Sequence, residues 1–388
     1  MTGLLILATA PVLEHAGMLR LDVKFVEGMR AHCAHWPGPV RCILRRGADG
    51  IPFGASYQPA DLGFELRILD PGQPVGPEDM AGIATIFAAA DDADTLALVP
   101  LARDHGASLV YSLEYTLDTR LRIVWLDQGR SLPRKLWSML WNLRQEYRRR
   151  RALRSADGVQ ANGYPALDAY AGLNRNTMMY IDGRMTPALM ATPDEMAART
   201  ARLMSGAPLR LIHSGRLEPM KGAQDLLPVM AELRRIGVAA TLDIYGAGRL
   251  RDSIAGGLAD FDGQVRLHDP VDFESALVPA SRTGADIFLS CHRQSDPSCT
   301  YIEAMGCGLA VAGYDNRMWA RLAADSGAGL VAPMGNATAL AARIAAWDKD
   351  RKALASACRI GLQFAADHDF PGEFKARMDH LLSLSPRG

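Results

Sequence analysis

Short apolar runs alternate with stretches whose apolar positions recur at helical spacing, and that alternation predicts an α/β protein with largely parallel sheets. In the first half, Leu4–Thr9, Val40–Leu44, Ser108–Leu113, Leu121–Trp125 and Gly158–Ala161 read as strands, and Leu21–His32 and Gly82–Ala90 as helices. The second half is more regular. Strands are expected at Leu209–His213, Ala239–Tyr245, Gln264–Leu267, Asp286–Ser290, Leu309–Ala312 and Gly329–Val331. Helices are expected at Ala223–Arg235, Leu250–Ala259, Ser275–Arg282, Thr300–Cys307 and Ala337–Trp347. Pro187, Pro193 and Pro208 break the periodicity between Gly183 and Pro208, so the join between two doubly wound units is placed there.

A length of 388 residues with 48% apolar content supports two domains, each with its own core. Lys and Arg number 43 against 43 Asp and Glu, so no global field calls for nucleic acid. The six cysteines form neither a CxxC motif nor a His-bearing ligand cluster, which fits a reduced, cytoplasmic protein without a structural metal. Leu4–Leu7 followed by Ala8-Thr9-Ala10 imitates a signal sequence, but no Lys or Arg precedes it and the apolar stretch is too short. A buried first strand is the expected outcome.

One segment departs from the balanced charge. Residues 134–154 carry Arg134, Lys135, Arg144, Arg148, Arg149, Arg150, Arg151 and Arg154 against Glu146 alone, with Trp137, Leu140, Trp141 and Leu143 on an apolar side. Such a helix either packs into its domain with a solvated basic face or lies on an anionic membrane surface, the inner face for a cytoplasmic protein.

The densest chemistry follows the first strand of the second half, in His213-Ser214-Gly215-Arg216-Leu217-Glu218-Pro219-Met220-Lys221-Gly222. A glycine turn with Arg and Lys at the carboxyl end of a parallel strand suits a diphosphate, gripped by a guanidinium fork and a mobile ammonium. Taken alone, two loop cations read rather as solvated surface charges. A second cluster runs from Asp286 through Ser298, Cys299 and Thr300 into Glu303 and Gly308. The amides of Ser298, Cys299 and Thr300 stand where a helix begins and an anion is favoured, and Glu303 can accept hydrogen bonds from a ribose. Gly246-Ala247-Gly248 is also compatible with a dinucleotide fingerprint, but Arg251 stands where its third glycine belongs.

These clusters, with Leu242–Gly248, Val265–His268 and Ala285–Ser290 between them, resemble the family-4 retaining glycosyltransferases over roughly residues 209–350. The resemblance implies the GT-B architecture, two Rossmann-like doubly wound parallel-sheet domains facing across a cleft. It places an acceptor domain at 1–184, a nucleotide-sugar donor domain at 185–365, and a final helix within 366–388, about Gly372–Leu382, crossing back to the first domain. By the same resemblance Arg216 and Lys221 hold the donor diphosphate and Glu303 binds the ribose. Gly215, Gly246 and Gly248 form loops beside the nucleotide, and the backbone around Val265 and His268 lines the base pocket.

The sequence departs from the family at its usual first glutamate, where Ser295 stands with Asp296 next to it. Asp296 either takes over that role or the role is lost. Pro297 removes one amide of the phosphate loop, for which the Ser298 and Thr300 hydroxyls can compensate. In the first half, His15, Gly17, Glu114, Tyr115, Arg120 and Asn162 are the candidates for the cleft or acceptor. The implied activity is retaining, metal-independent transfer of a hexosyl unit from a nucleotide-diphosphate sugar, with no other cofactor, to a sugar or lipid-linked acceptor such as a glycolipid or polysaccharide precursor. A catalytically weakened nucleotide-sugar-binding protein and a GT-B sugar-nucleotide epimerase remain as alternatives.

Overall fold

The computed structural model describes residues 3–47, 50–51, 54–127, 129–295 and 297–386. Its contacts divide the chain into one unit of Met1–Leu117, Leu132–Tyr180 and Phe374–Gly388 and a second of Asp118–Ser131 and Ile181–Glu373.

Among the described residues the first unit is built on nine strands: β1 (Gly3–His15), β2 (Met18–Asp22), β3 (Val40–Arg46), β4 (Gly54–Tyr57), β5 (Glu65–Leu69), β6 (Ile83–Ala89), β7 (Ser108–Leu113), β8 (Gly158–Asn162) and β9 (Thr177–Tyr180). The parallel part runs β5-β3-β1-β6-β7-β8-β9. Its core gathers Leu5, Leu7, Ile86, Leu109, Tyr111 and Val159. Two expected elements exchange identity. Gly82–Ala90 forms the strand β6, because a strand covered on both faces carries the same unbroken apolar run as a buried helix. Leu121–Trp125 lies within a helix, Leu117–Leu126, which an Asp118–Arg122 pair at 3.2 Å supports and whose Ile123, Trp125 and Leu126 remain exposed. Strand β1 also continues past Thr9 to His15. It turns through Ala16 (φ 49°) and Gly17 (φ 76°) into antiparallel β2, forming a hairpin.

The helix Phe370–Leu384 joins this unit from Phe374 onward. Gln160 donates to the Arg377 carbonyl at 2.8 Å and receives Arg377 Nε at 3.0 Å, while Phe374 meets His32 edge-on at 4.9 Å.

The second unit holds a six-stranded parallel sheet in the order β12-β11-β10-β13-β14-β15. These strands are β10 (Leu209–Ser214), β11 (Ala240–Tyr245), β12 (Val265–His268), β13 (Ile287–Ser290), β14 (Ala310–Tyr314) and β15 (Gly329–Ala332). Connections leave β10 toward one edge and β13 toward the other, so the strand order reverses between them, and ligands of open α/β sheets bind at the carboxyl ends beside such a reversal. The expected join, Gly183–Pro208, falls inside this unit and is structured. Thr192 and Glu195 form a capping box that starts the helix Pro193–Met204, with the prolines at turns and at its first position. Among the described residues no helix is long and apolar enough to cross a membrane.

Candidate active site

At the carboxyl end of β10 the chain turns at Gly215, whose N–H donates to the Tyr245 carbonyl at 3.0 Å. Gly246 and Gly248 follow β11 and press against this turn. A Cβ on Gly246 would stand 2.0 Å from the Gly215 oxygen, and one on Gly248 2.5 Å from the Leu217 oxygen. The two glycines therefore let the loops after β10 and β11 pack backbone to backbone. Leu217 completes the seam, donating to the Ala247 carbonyl at 2.8 Å. Arg216 stands exposed on this seam; its carbonyl accepts the Glu218 N–H at 2.9 Å, and its side chain makes no hydrogen bond or ion pair among the described residues.

Lys221 is 8% exposed, in the turn Pro219–Lys221. Gly222 ends that turn at φ 68°, where a Cβ would stand 1.7 Å from the Cys291 oxygen. Arg293 N–H donates to the Met220 carbonyl at 3.1 Å, and the Arg293 guanidinium forks Asp225 at 2.7–2.9 Å. The lysine loop is thus clamped to the chain leaving β13, which brings the two sequence clusters together at the strand reversal. Burial makes the histidines beneath them neutral. His213, whose Nδ1 lies 2.9 Å from the Leu289 carbonyl, is pushed down to about 4, and His292 falls well below its ordinary value.

Ser298, Cys299 and Thr300 lead into the helix Thr300–Gly306, with the Ser298 and Thr300 hydroxyls 2.8 Å apart. Glu303, on the first turn, is 6% exposed and lines a small cavity of about 10 Å³ with Ser214, Phe273 and Thr300. Its carboxylate is held by Arg184, Nε to Oε1 at 2.6 Å and Nη2 to Oε2 at 3.0 Å. Ser295 is buried and its hydroxyl accepts the Arg317 N–H at 3.0 Å, which fixes the start of the helix Arg317–Ser326. Asp296 lies outside the described residues. Val265 points into the core, while His268 Nε2 sits 2.7 Å from Asp243 and its ring stacks on Tyr245 at 4.4 Å.

In the first unit, Glu114 and Tyr115 follow β7 and donate their N–H groups to Asp91 at 2.7 and 3.3 Å. Arg149 locks this turn, pairing with Asp91 at 3.2 Å and donating to the Tyr115 carbonyl at 2.8 Å. Asp91, Glu114 and Tyr115 line a cavity of about 280 Å³ with Thr9, Lys24 and His32. Asn162 is buried at the start of the helix Gly163–Tyr170. His15 and Gly17 are exposed at the hairpin tip and do not line that cavity, and Arg120 lies on the helix Leu117–Leu126 in the part assigned to the second unit.

Four side chains escaped the sequence reading: Arg184, Asp225, Arg293 and Asp91. Each acts through a partner far along the chain, so no local spacing marks it. Arg149 counts among the basic residues of 134–154, but its 1% exposure and its pair with Asp91 remove it from any exposed basic face, solvated or membrane-facing.

Residues 208–350 match the family model of glycosyl transferases group 1. No curated protein matches the chain. Among solved structures, HepE of Anabaena in complex with UDP aligns over 99% of this chain and 100% of its own, with a TM-score of 0.68 at 15% identity. Sucrose-phosphate synthase of Thermosynechococcus elongatus aligns over 99% and 98%, with a TM-score of 0.66 at 15% identity. WaaG, a glycosyltransferase involved in lipopolysaccharide biosynthesis, aligns over 97% and 99%, with a TM-score of 0.57 at 14% identity. The segment that carries Arg216, Lys221 and Glu303 is thus similar to the glycosyl transferases group 1, and the chain has the GT-B fold.

Proposed function

We propose that this protein is a glycosyltransferase that moves a hexosyl unit from a nucleotide-diphosphate sugar to a sugar or lipid-linked acceptor, with retention at the anomeric carbon and without a metal. The observation that carries the reading is the placement of exposed Arg216 and buried Lys221 after the carboxyl end of β10, at the strand reversal, beside the carboxyl end of β13, after which the Glu303 helix begins. Two cations at this place can offset the charge that develops on a departing diphosphate, the task a metal performs elsewhere. In the step proposed, the bond from the anomeric carbon to the phosphate oxygen breaks, the acceptor hydroxyl bonds to that carbon from the same face, and its proton passes to the departing phosphate.

Binding of UDP-, GDP-, ADP- and dTDP-sugars, measured by thermal shift with and without EDTA, tests the donor. UDP-glucose comes first because HepE has been solved with it. The expected result is an EDTA-insensitive shift for one base, followed by slow release of its diphosphate in a hydrolysis assay. A shift without hydrolysis even when acceptors are supplied favours the second reading, a nucleotide-sugar binder without turnover. That reading has its own support, since Ser295 stands at the first-glutamate position with its hydroxyl engaged by the Arg317 N–H. No shift with any donor removes both.

The acceptor side of the proposal places the helix Leu132–Ser155 on an anionic membrane surface. This helix turns its polar residues inward, burying Asn142, Gln145, Glu146 and Arg149, while Leu132, Leu136, Leu140, Leu143 and Tyr147 form an exposed stripe flanked by Trp137 and Trp141. Exposed Arg144, Arg148 and Arg151 border it, a pairing of apolar surface and positive charge complementary to anionic lipid headgroups. The protein should sediment with vesicles of phosphatidylglycerol and phosphatidylcholine, and the triple change of Arg144, Arg148 and Arg151 to Gln should release it. Arg149 is left in place because it holds the Glu114–Tyr115 turn. A wild-type protein that stays in the supernatant ends the membrane assignment.

A further inference from the structure

Arg184 stands in the segment between β9 and the helix Pro193–Met204, a stretch whose prolines suggest only a connection. It is bound on two sides. Its guanidinium forks both oxygens of Glu303, and its Cζ lies 3.6 Å from the centroid of the Phe273 ring. Burial works against the charge on Arg184, but the hydrogen bonds and charge of Glu303 outweigh it and hold its pKa above the ordinary value. Phe273 opens a single π-helical turn, Phe273–Leu277, packed before the helix Val278–Gly284. The ring thus sets the plane of the guanidinium, and the guanidinium sets the plane of the carboxylate.

A carboxylate oxygen has two lone-pair positions. The fork occupies one on each oxygen and leaves one on each, so Glu303 keeps two acceptor positions in a fixed orientation. A vicinal diol presents two O–H donors at matching spacing. A free glutamate would have to surrender side-chain freedom to meet both, whereas a clamped one has already done so. The Arg184 side chain is 34% and that of Glu303 7% exposed, so the fork fixes the orientation of a largely buried carboxylate through two charge-assisted hydrogen bonds.

We infer that Arg184 is a positioning residue that presets Glu303 to receive the 2′- and 3′-hydroxyls of the donor ribose. The inference rests on the donor-site reading above, in which Glu303 is the ribose acid, and adds the residue that makes that acid selective. If Arg184 instead competed with the ribose for Glu303, its removal would tighten binding.

Calorimetric titration with UDP, GDP and ADP, each beside its 2′,3′-dideoxy counterpart, separates these cases for wild type, Arg184→Met, Arg184→Lys and Glu303→Gln. Wild type should prefer the ribonucleotide of its own base by on the order of tenfold or more, and Glu303→Gln should abolish the preference. Arg184→Met should weaken the ribonucleotide by about tenfold and leave the dideoxy form unchanged, so the ratio collapses. Arg184→Lys, which keeps the charge without the fork, should fall between, and it carries the test if the methionine variant does not fold. A merely structural arginine would change both nucleotides together. A wild-type ratio in both Arg184 variants, or tighter ribonucleotide binding, overturns the inference while the donor site stands. A wild type that binds but has no ribose preference, or binds none of these nucleotides, overturns the reading beneath it as well.

Discussion

Lys221→Met should lower turnover by on the order of a hundredfold or more while the second unit stays folded. The residue is 8% exposed, and its loop is clamped on both sides, by Gly222 seated on the Cys291 carbonyl and by the Arg293 N–H bonded to the Met220 carbonyl. A cation on a loop fixed in this way needs no loop rearrangement as the diphosphate departs, and a cation in a water-poor site acts through a low dielectric. Methionine fills nearly the same volume, so the loss isolates the charge. Arg216→Gln should act in the same direction with a smaller loss, because its exposed guanidinium works through solvent. The measurement is kcat with the donor identified by thermal shift, beside a melting curve for each variant. Wild-type turnover in both would withdraw the diphosphate assignment.

The largest stability loss is expected at Arg199, with no direct part in chemistry. Arg199 projects from the helix Pro193–Met204, is 3% exposed, and donates to the carbonyls of Ala285, Cys307 and Gly308 at 3.0, 3.1 and 2.8 Å and to that of Arg282 at 2.6 Å. One guanidinium therefore joins the start of β13, the turn after the Glu303 helix and the end of the helix Val278–Gly284. Arg199→Met leaves these carbonyls desolvated without donors, a loss of about 3 kcal/mol or more. It should appear as a lower urea midpoint at unchanged m-value. A shift under about 1 kcal/mol would mean that water enters and satisfies the carbonyls.

The second unit was legible because its strands are short apolar runs punctuated by turns and its helices carry clear apolar faces. All six expected strands and the Glu303 helix lie where those signals place them, within a residue or two. The first half of the chain was less so. Ile83–Ala89 is rich in alanine and buried on both faces, which leaves no period to read, whereas Leu121–Trp125 holds β-branched residues in an exposed helix. The helix Pro193–Met204 did announce itself, through Thr192-Pro193-Asp194-Glu195, but the prolines read as interruptions. Within the site, sequence order exposed the loops and their cations. The fork from Arg184 to Glu303 and the lock from Arg149 to Asp91 were hidden, because folding alone brings those pairs together.

The helix that ends the first unit sets an order of events during synthesis. Residues Phe374 onward leave the ribosome only after the whole of Ile181–Glu373 has been made, roughly 10–40 s after β9 at ordinary elongation rates. Until then β8 lacks the Gln160–Arg377 exchange, and His32 and Phe87 lack the Phe374 and Arg377 side chains that cover them. The nascent first unit therefore waits with an open flank while the second unit, continuous but for its short excursion at 118–131, completes itself. Ribosomes stalled just before Phe374 should carry a protease-sensitive first unit beside a resistant second one, so the half made first is the half finished last.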